Sequence, residues 1–291
     1  MSRVAGTGCL GLAILLITIV SFAQNDEKLN RKWVAKDIEA VRLISQIMPI
    51  ENRSIEIIKT ILGRNTGVDE QDLGFGAKRV SLSKGNGYTS FGVDVFTFNG
   101  TTGYYEISVS GDLKKNPGLR KQIIRIWKQS GGPEFSETDY GLASRKKIDS
   151  VFQSYQRAVG AALGELSQAE IPAELKEHYE YLISPLDNST IGVGGCGYGG
   201  VLPRGRIAID ALVDAGRIDL IENVLRGYNP GGRVYAALAL LTMEKEGRAL
   251  SASAQDTLDK LINLPIKVST CSGCLVSHHL TAKQAILFIK Q

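Results

Sequence analysis

Apolar residues recur along this chain with two periods, and the switches between them mark its elements. Ala40, Val41, Ile44 and Met48 step at helical spacing up to Pro49. Ile57, Ile58, Ile61 and Leu62 form a second helical run, with Ser54 placed to cap it and Gly63 to end it. The period then falls to two: Phe91, Val93 and Val95 alternate, as do Tyr105, Ile107 and Val109, with Asn99-Gly100-Thr101-Thr102-Gly103 between them. That pattern predicts a β-hairpin. Arg79 to Ser83 offers a third strand, and Leu119, Ile123, Ile126 and Trp127 predict a helix that could cover one face of the small sheet.

Ser130-Gly131-Gly132-Pro133 breaks the chain, and helical spacing follows. Ile148, Val151, Phe152, Tyr155, Val159, Ala162 and Leu166 make the clearest amphipathic stripe. Pro172 opens another helix, with Leu175, Tyr179 and Leu182 on one side. Beyond a glycine-rich loop at 192–200, four short helices are expected near 204–215, 217–225, 232–246 and 252–262, with Gly216, Gly227, Gly247 and Pro265 close to their ends. The predicted architecture is therefore a leader (1–23), a small α+β module of helices plus β-hairpin (24–130), and an all-α helical domain (131–291).

Two of the later helices open alike. Pro203-Arg204-Gly205-Arg206-Ile207 and Pro230-Gly231-Gly232-Arg233-Val234 share P-x-G-R-aliphatic at a spacing of 27, each followed by an apolar stripe. Residues 200–264 resemble short HEAT-like helical repeats in this respect. The resemblance implies helix pairs that bury their apolar faces by stacking on neighbours and present an extended binding surface.

The leader carries Arg3, an apolar run dominated by Leu10 to Val20, and Ser21-Phe22-Ala23. It predicts a secretory signal cut after Ala23, the alternative being a retained N-terminal anchor, since Val4 to Ala23 is uncharged over roughly the 20 residues a spanning helix needs. Cys9 precedes the apolar run and does not fit a lipoprotein attachment site. On either alternative the body is exported, periplasmic or secreted, where disulfides persist. The 34 basic and 30 acidic residues leave a net charge of +4, too small and too dispersed to point to nucleic acid or to a basic membrane-binding face.

Candidate chemistry concentrates in Ser269-Thr270-Cys271-Ser272-Gly273-Cys274-Leu275-Val276-Ser277-His278-His279-Leu280. Leu275 stands where a haem tether needs His. A thioredoxin-like site could draw a strand from Ile266 to Thr270 and a helix from Ala282 to Ile289, but only 17 residues follow Cys274. A structural zinc site would use Cys271, Cys274 and one of His278 or His279, with Cys196 as fourth ligand. The favoured expectation is a staple. Joining Cys196 to Cys271 or to Cys274 closes a loop of some 75 residues or more, worth about 4.5 kcal/mol on the chain-entropy account, against under about 2 kcal/mol for a Cys271–Cys274 ring.

Gly192-Val193-Gly194-Gly195-Cys196-Gly197 fits G-x-G-x-x-G, yet the polar run Asp187 to Thr190 precedes it and the next helix waits until after Pro203. A dinucleotide loop needs a strand before the motif and a helix within it, so no cofactor is expected. No esterase elbow, zincin motif or Walker loop occurs; His178, between Glu177 and Tyr179, fits a half-exposed helix residue, and Arg206 and Arg233 fit arginine stems laid over helix starts. The expectation is an exported, non-catalytic protein without assigned catalytic or cofactor residues, whose helical region binds a protein partner or scaffolds an assembly. The alternatives are an exported hydrolase, a thiol-dependent activity around Cys271 and Cys274, or the zinc site.

Overall fold

A computed structural model describes residues 31–39, 41–43, 46, 55–64, 66–85, 89–111, 113, 117–129, 136–138, 141–187, 190–196, 199–273 and 275–289. The leader with Cys9, the capping Ser54, the linker 130–133 and Cys274 lie outside them. Helical residues 31–39 and 41–43 form α1. There follow α2 (Ile55–Leu62), β1 (Gly67–Gly74), β2 (Ala77–Gly85), β3 (Thr89–Phe98), β4 (Thr101–Gly111), α3 (Pro117–Gln129), β5 (Ser136–Thr138) and β6 (Gly141–Lys147). The later half comprises α4 (Asp149–Leu163), α5 (Ala173–Ile183), β7 (Ile191–Cys196), α6 (Arg204–Asp214), α7 (Ile218–Leu225), α8 (Pro230–Lys245), α9 (Ala252–Asn263), β8 (Lys267–Gly273), β9 (Leu275–Thr281) and α10 (Ala282–Ile289).

Strands β1 to β6 form one antiparallel sheet in the order β1-β2-β3-β4-β6-β5. The expected hairpin is β3–β4, and it turns through Asn99 and Gly100, both at positive φ. Two successive left-handed residues match the twist of the flanking strands, which is why Asn-Gly is favoured there. The third expected strand is β2. Sequence patterning missed β1, whose first four residues are all exposed, and β6, where Leu142, Ala143 and Ser144 are buried in succession. Neither shows the in-out alternation by which a half-buried strand is recognised.

Two compact units divide the chain. One comprises residues 1–67, 82–93 and 106–145, and its buried side chains include Ile58, Leu82, Phe91, Ile107, Ile123 and Trp127. The other comprises 68–81, 94–105 and 146–291. In this second unit the stripe of α4 buries Phe152, Tyr155, Val159 and Leu163 with Leu73, Ala77 and Phe96. A larger core joins α5 to α9 through Leu182, Leu212, Ile221, Leu225, Leu240 and Leu258, and extends to Ile191 of β7, Val268 of β8 and Ile286 of α10.

An all-α region from 131 to the C terminus is not what forms. β5 and β6 belong to the first sheet, and β7, β8 and β9 make a second, three-stranded one. The glycine-rich stretch expected as a loop supplies β7, which pairs in parallel with β8. A parallel pair needs a long crossover, and here the whole run α6 to α9 provides it. β8 and β9 then close an antiparallel hairpin. Periodicity could not reveal this pairing, because β7 is Ile-Gly-Val-Gly-Gly-Cys and its partner lies more than seventy residues on. Among the described residues, no helix is long and apolar enough to cross a membrane.

Candidate functional site

Packing explains two of the three glycines of β7. A Cβ on Gly192 would sit 2.5 Å from Pro203 Cγ and 2.8 Å from Cys196 Sγ, and one on Gly195 would run into the carbonyl of Gly200. Gly194 has open space around it. Close packing therefore accounts for the lack of a side chain at Gly192 and at Gly195.

Cys196, at the end of β7, is disulfide-bonded to Cys271 in the middle of β8, with Cα atoms 5.8 Å apart and 75 residues between them in sequence. That separation lies inside the usual disulfide range. Of the two long bridges expected, the one to Cys271 forms; Cys271 is buried and Cys196 half-buried. The bridge covalently ties the ends of the helical crossover. In this oxidised state neither sulfur is a thiolate, so neither serves as nucleophile or zinc ligand. His278 and His279 belong to β9 by their backbone, and their side chains lie outside the described ones. Among the described residues, no group of three or more His, Cys, Asp or Glu is placed to hold a metal. His178 is half-buried on α5.

The two openings of the apparent repeat differ in what they do. α6 starts after Pro203 without a side-chain cap, whereas Asn229 caps α8, its side chain accepting from the amides of Gly231 and Gly232. Arg206 lies on the surface, its Nε donating to both carboxylate oxygens of Asp210 at 2.8 and 2.9 Å. Arg233 is 0% exposed. Its Nε donates to Gly227 O at 2.6 Å, Nη1 to Leu73 O at 3.4 Å and Nη2 to Tyr155 Oη at 3.3 Å, while the guanidinium lies 5.2 Å from the Phe75 ring centre. The two arginines, expected alike as stems laid over helix starts, therefore differ: Arg206 is half-exposed, and Arg233 is buried to its guanidinium. Packing nevertheless requires both repeat glycines, since a Cβ on Gly205 would meet the Tyr235 ring at 2.8 Å and one on Gly232 would strike the backbone of Leu182.

Tyr155 completes the buried network. Its single hydroxyl proton has Tyr228 O at 3.0 Å and Leu73 O at 3.2 Å as acceptors, and its oxygen accepts from Arg233. Burial pushes this phenol up, and the neighbouring Arg233 pulls it partly back. Tyr235 is the corresponding polar tip in the helical core. Its oxygen accepts from the Gly192 amide at 2.8 Å, joining α8 to β7, and burial pushes its pKa up to about 12, with the Gly192 bond opposing. Tyr155 was legible in the sequence only as part of the α4 stripe, and Tyr235 was not singled out. The signal was a tyrosine within or beside an apolar stripe, where a buried hydroxyl must find a partner.

Tyr235 also floors a groove of about 370 Å³ between α6 and α8. One wall is the α6 stripe Arg206, Ile209, Asp210 and Val213; the other runs along α8 through Leu238, Ala239, Thr242 and Met243 to Glu246. Both stripes repeat at three and four residues, so each presents one helix edge. The α8 wall from Leu238 to Glu246 spans about 12 Å at 1.5 Å per residue. Ile207 of α6 is 44% exposed, and Val201 and Leu202, which precede that helix, are 66% and 46% exposed. The groove thus mixes aliphatic side chains with the charged Arg206, Asp210, Glu246 and Arg248, a combination that binding surfaces commonly use.

Set against known protein families, curated proteins and solved structures, the chain matches none.

Proposed function

We propose that this is an exported, non-catalytic protein whose helical half is a binding or scaffold module working through the α6–α8 groove. The observation that carries the proposal is the groove of about 370 Å³ between the two helices, lined by both aliphatic and charged side chains. Concave sites with apolar walls and a few polar groups are the usual form of a binding site. Export is supported by the leader sequence and is compatible with the Cys196–Cys271 bridge, since such bridges persist in oxidising compartments. A HEAT-like stacking of α6–α7 on α8–α9 would give the groove its place between the first helices of two pairs.

The test is site-specific photo-crosslinking in exporting cells. A photoreactive residue at Thr242, in the groove, is compared with one at Lys260, exposed on α9. A discrete adduct from position 242 outside the cytoplasm and none from 260 supports the reading. Adducts equal at both positions, or none at 242, overturn it.

A further inference from the structure

We propose that a polar cavity between the first strands of the large sheet and β8 binds a small α-amino acid in its zwitterionic form. The site is separate from the α6–α8 groove and does not depend on it.

One face of β1, β2 and β3 changes character along its length. Side chains two apart on a strand share a face. Leu73 of β1, Ala77 of β2 and Phe96 of β3 are buried on this face with α4. Gln71 and Asp69 precede Leu73 at that spacing, Arg79 and Ser81 follow Ala77, and Asp94 precedes Phe96. Thr190, just ahead of β7, and Ser269 of β8 complete the lining of a cavity of about 170 Å³. Gln71, Arg79, Ser81, Asp94, Thr190 and Ser269 are all half-buried. Packing β8 on the sheet would be served by continuing the aliphatic face, so polar side chains half-buried around a cavity are the informative departure.

Both signs of charge face this small volume. Arg79 donates through Nη2 to Asp94 Oδ1 at 3.3 Å, and Ser81 Oγ donates to the same oxygen. A guanidinium has five N–H donors, and among the described residues only this one is engaged. Asp69, the exposed member of the lining, has no hydrogen-bond or ionic partner among the described residues. A carboxylate therefore finds a guanidinium fork with hydroxyls beside it, and an ammonium finds a carboxylate.

Simpler ligands match only part of that pattern. A phosphate would face Asp69 and Asp94, and a metal cation would face Arg79, so each meets like charge. A neutral polyol would cover the charges and give them no counter-charge in return. Size sets the last limit: at about 30 Å³ per water-sized group, the cavity admits about six heavy atoms, which is glycine or alanine, with serine at the edge.

The test is isothermal titration calorimetry on the full exported protein, dialysed and with its disulfide intact, using glycine, L-alanine and L-serine. Saturable binding of at least one is expected, with a dissociation constant of ~1 mM or tighter. Ethanolamine, acetate, glycerol and inorganic phosphate, each lacking at least one of the two charges, are expected to bind at least tenfold more weakly. Arg79→Gln and Asp69→Asn are each expected to weaken amino-acid binding tenfold or more. Should Arg79→Gln melt early because Asp94 has lost its partner, Asp69→Asn carries the comparison, since that exposed carboxylate strands no neighbour. No binding of any of the three amino acids, a control ligand binding as tightly as they do, or an affinity unchanged in either folded variant overturns the proposal. Crosslinking from position 242 reads the groove independently of all these results.

Discussion

Arg233 donates through Nη2 to the phenolic oxygen of Tyr155 at 3.3 Å, and both side chains are fully buried. The pair draws α8 and α4 together, and Leu73 O of β1 accepts from both side chains. Burying a guanidinium is unfavourable unless its donors are met. Here two backbone carbonyls and a hydroxyl meet them.

Removing that guanidinium strands its acceptors. Arg233→Met is expected to lower unfolding stability by on the order of 3 kcal/mol, since Gly227 O loses its charged donor inside the core. Arg206→Met, at the matching place in the sequence repeat, breaks only a half-exposed ion pair and is expected to lose under about 1 kcal/mol. Urea titration of both variants reads the contrast, and equal losses would show that the two arginines are equivalent after all.

High pH should unfasten the helical core. The Tyr235 phenol is held at about 12 in the fold, above the ordinary value of about 10 in the unfolded chain. Between those values the unfolded chain has released the proton and the folded one retains it, so stability falls as pH rises. The contribution is complete below pH 10 and is lost progressively up to pH ~12, amounting to about 2 to 3 kcal/mol. Tyr235→Phe is expected to flatten the fall in denaturant midpoint over that window without abolishing it, because burial also raises Tyr155, Tyr179, Tyr181 and Tyr228. An unchanged slope would rule the phenol out.

Oxidative mapping of the folded protein should recover Cys196 joined to Cys271, and the link should survive Cys274→Ser. Closing a 75-residue loop corresponds to about 4.5 kcal/mol of unfolded-chain entropy, and native disulfides of this kind are typically worth ~2 to 5 kcal/mol. Cys271→Ser is expected to lose stability in that range, measured by thermal melting. Retention of full stability would mean that the bridge does not hold the second sheet.

The glycines of β7 should sort by what lies next to them. Gly192→Ala forces a methyl onto Pro203 and Cys196 Sγ and is expected to destabilise by ~1 to 3 kcal/mol. Gly194→Ala meets nothing within 4 Å and is expected to change stability by under about 0.5 kcal/mol. Comparable melting temperatures for the two variants would contradict the packing account.

The helices were legible because their information is local. Residues three and four apart share a helix face, so Phe152, Tyr155, Val159 and Ala162 declare α4 without reference to anything distant, although the helix ends at Leu163, before the expected Leu166. The hairpin was legible for the same reason, its turn chemistry lying between two alternating runs. Of the candidate site, the cysteines were visible as residue types, but which of two cysteines Cys196 would meet was not. β1 was hidden because most of it is exposed, and β7 because its glycines read as a break.

The sequence by itself determined where the chain is helical, where it turns back at Asn99-Gly100, and that its body carries cysteines at positions far enough apart for a bridge of large entropic effect. Only the tertiary structure decided that the four-helix run is a crossover between parallel strands, that one of two look-alike arginines is buried while the other faces water, and that α6 and α8 leave a groove between them. Each of the latter depends on segments tens of residues apart coming to one place. A periodic pattern specifies a face, and packing alone specifies what that face meets.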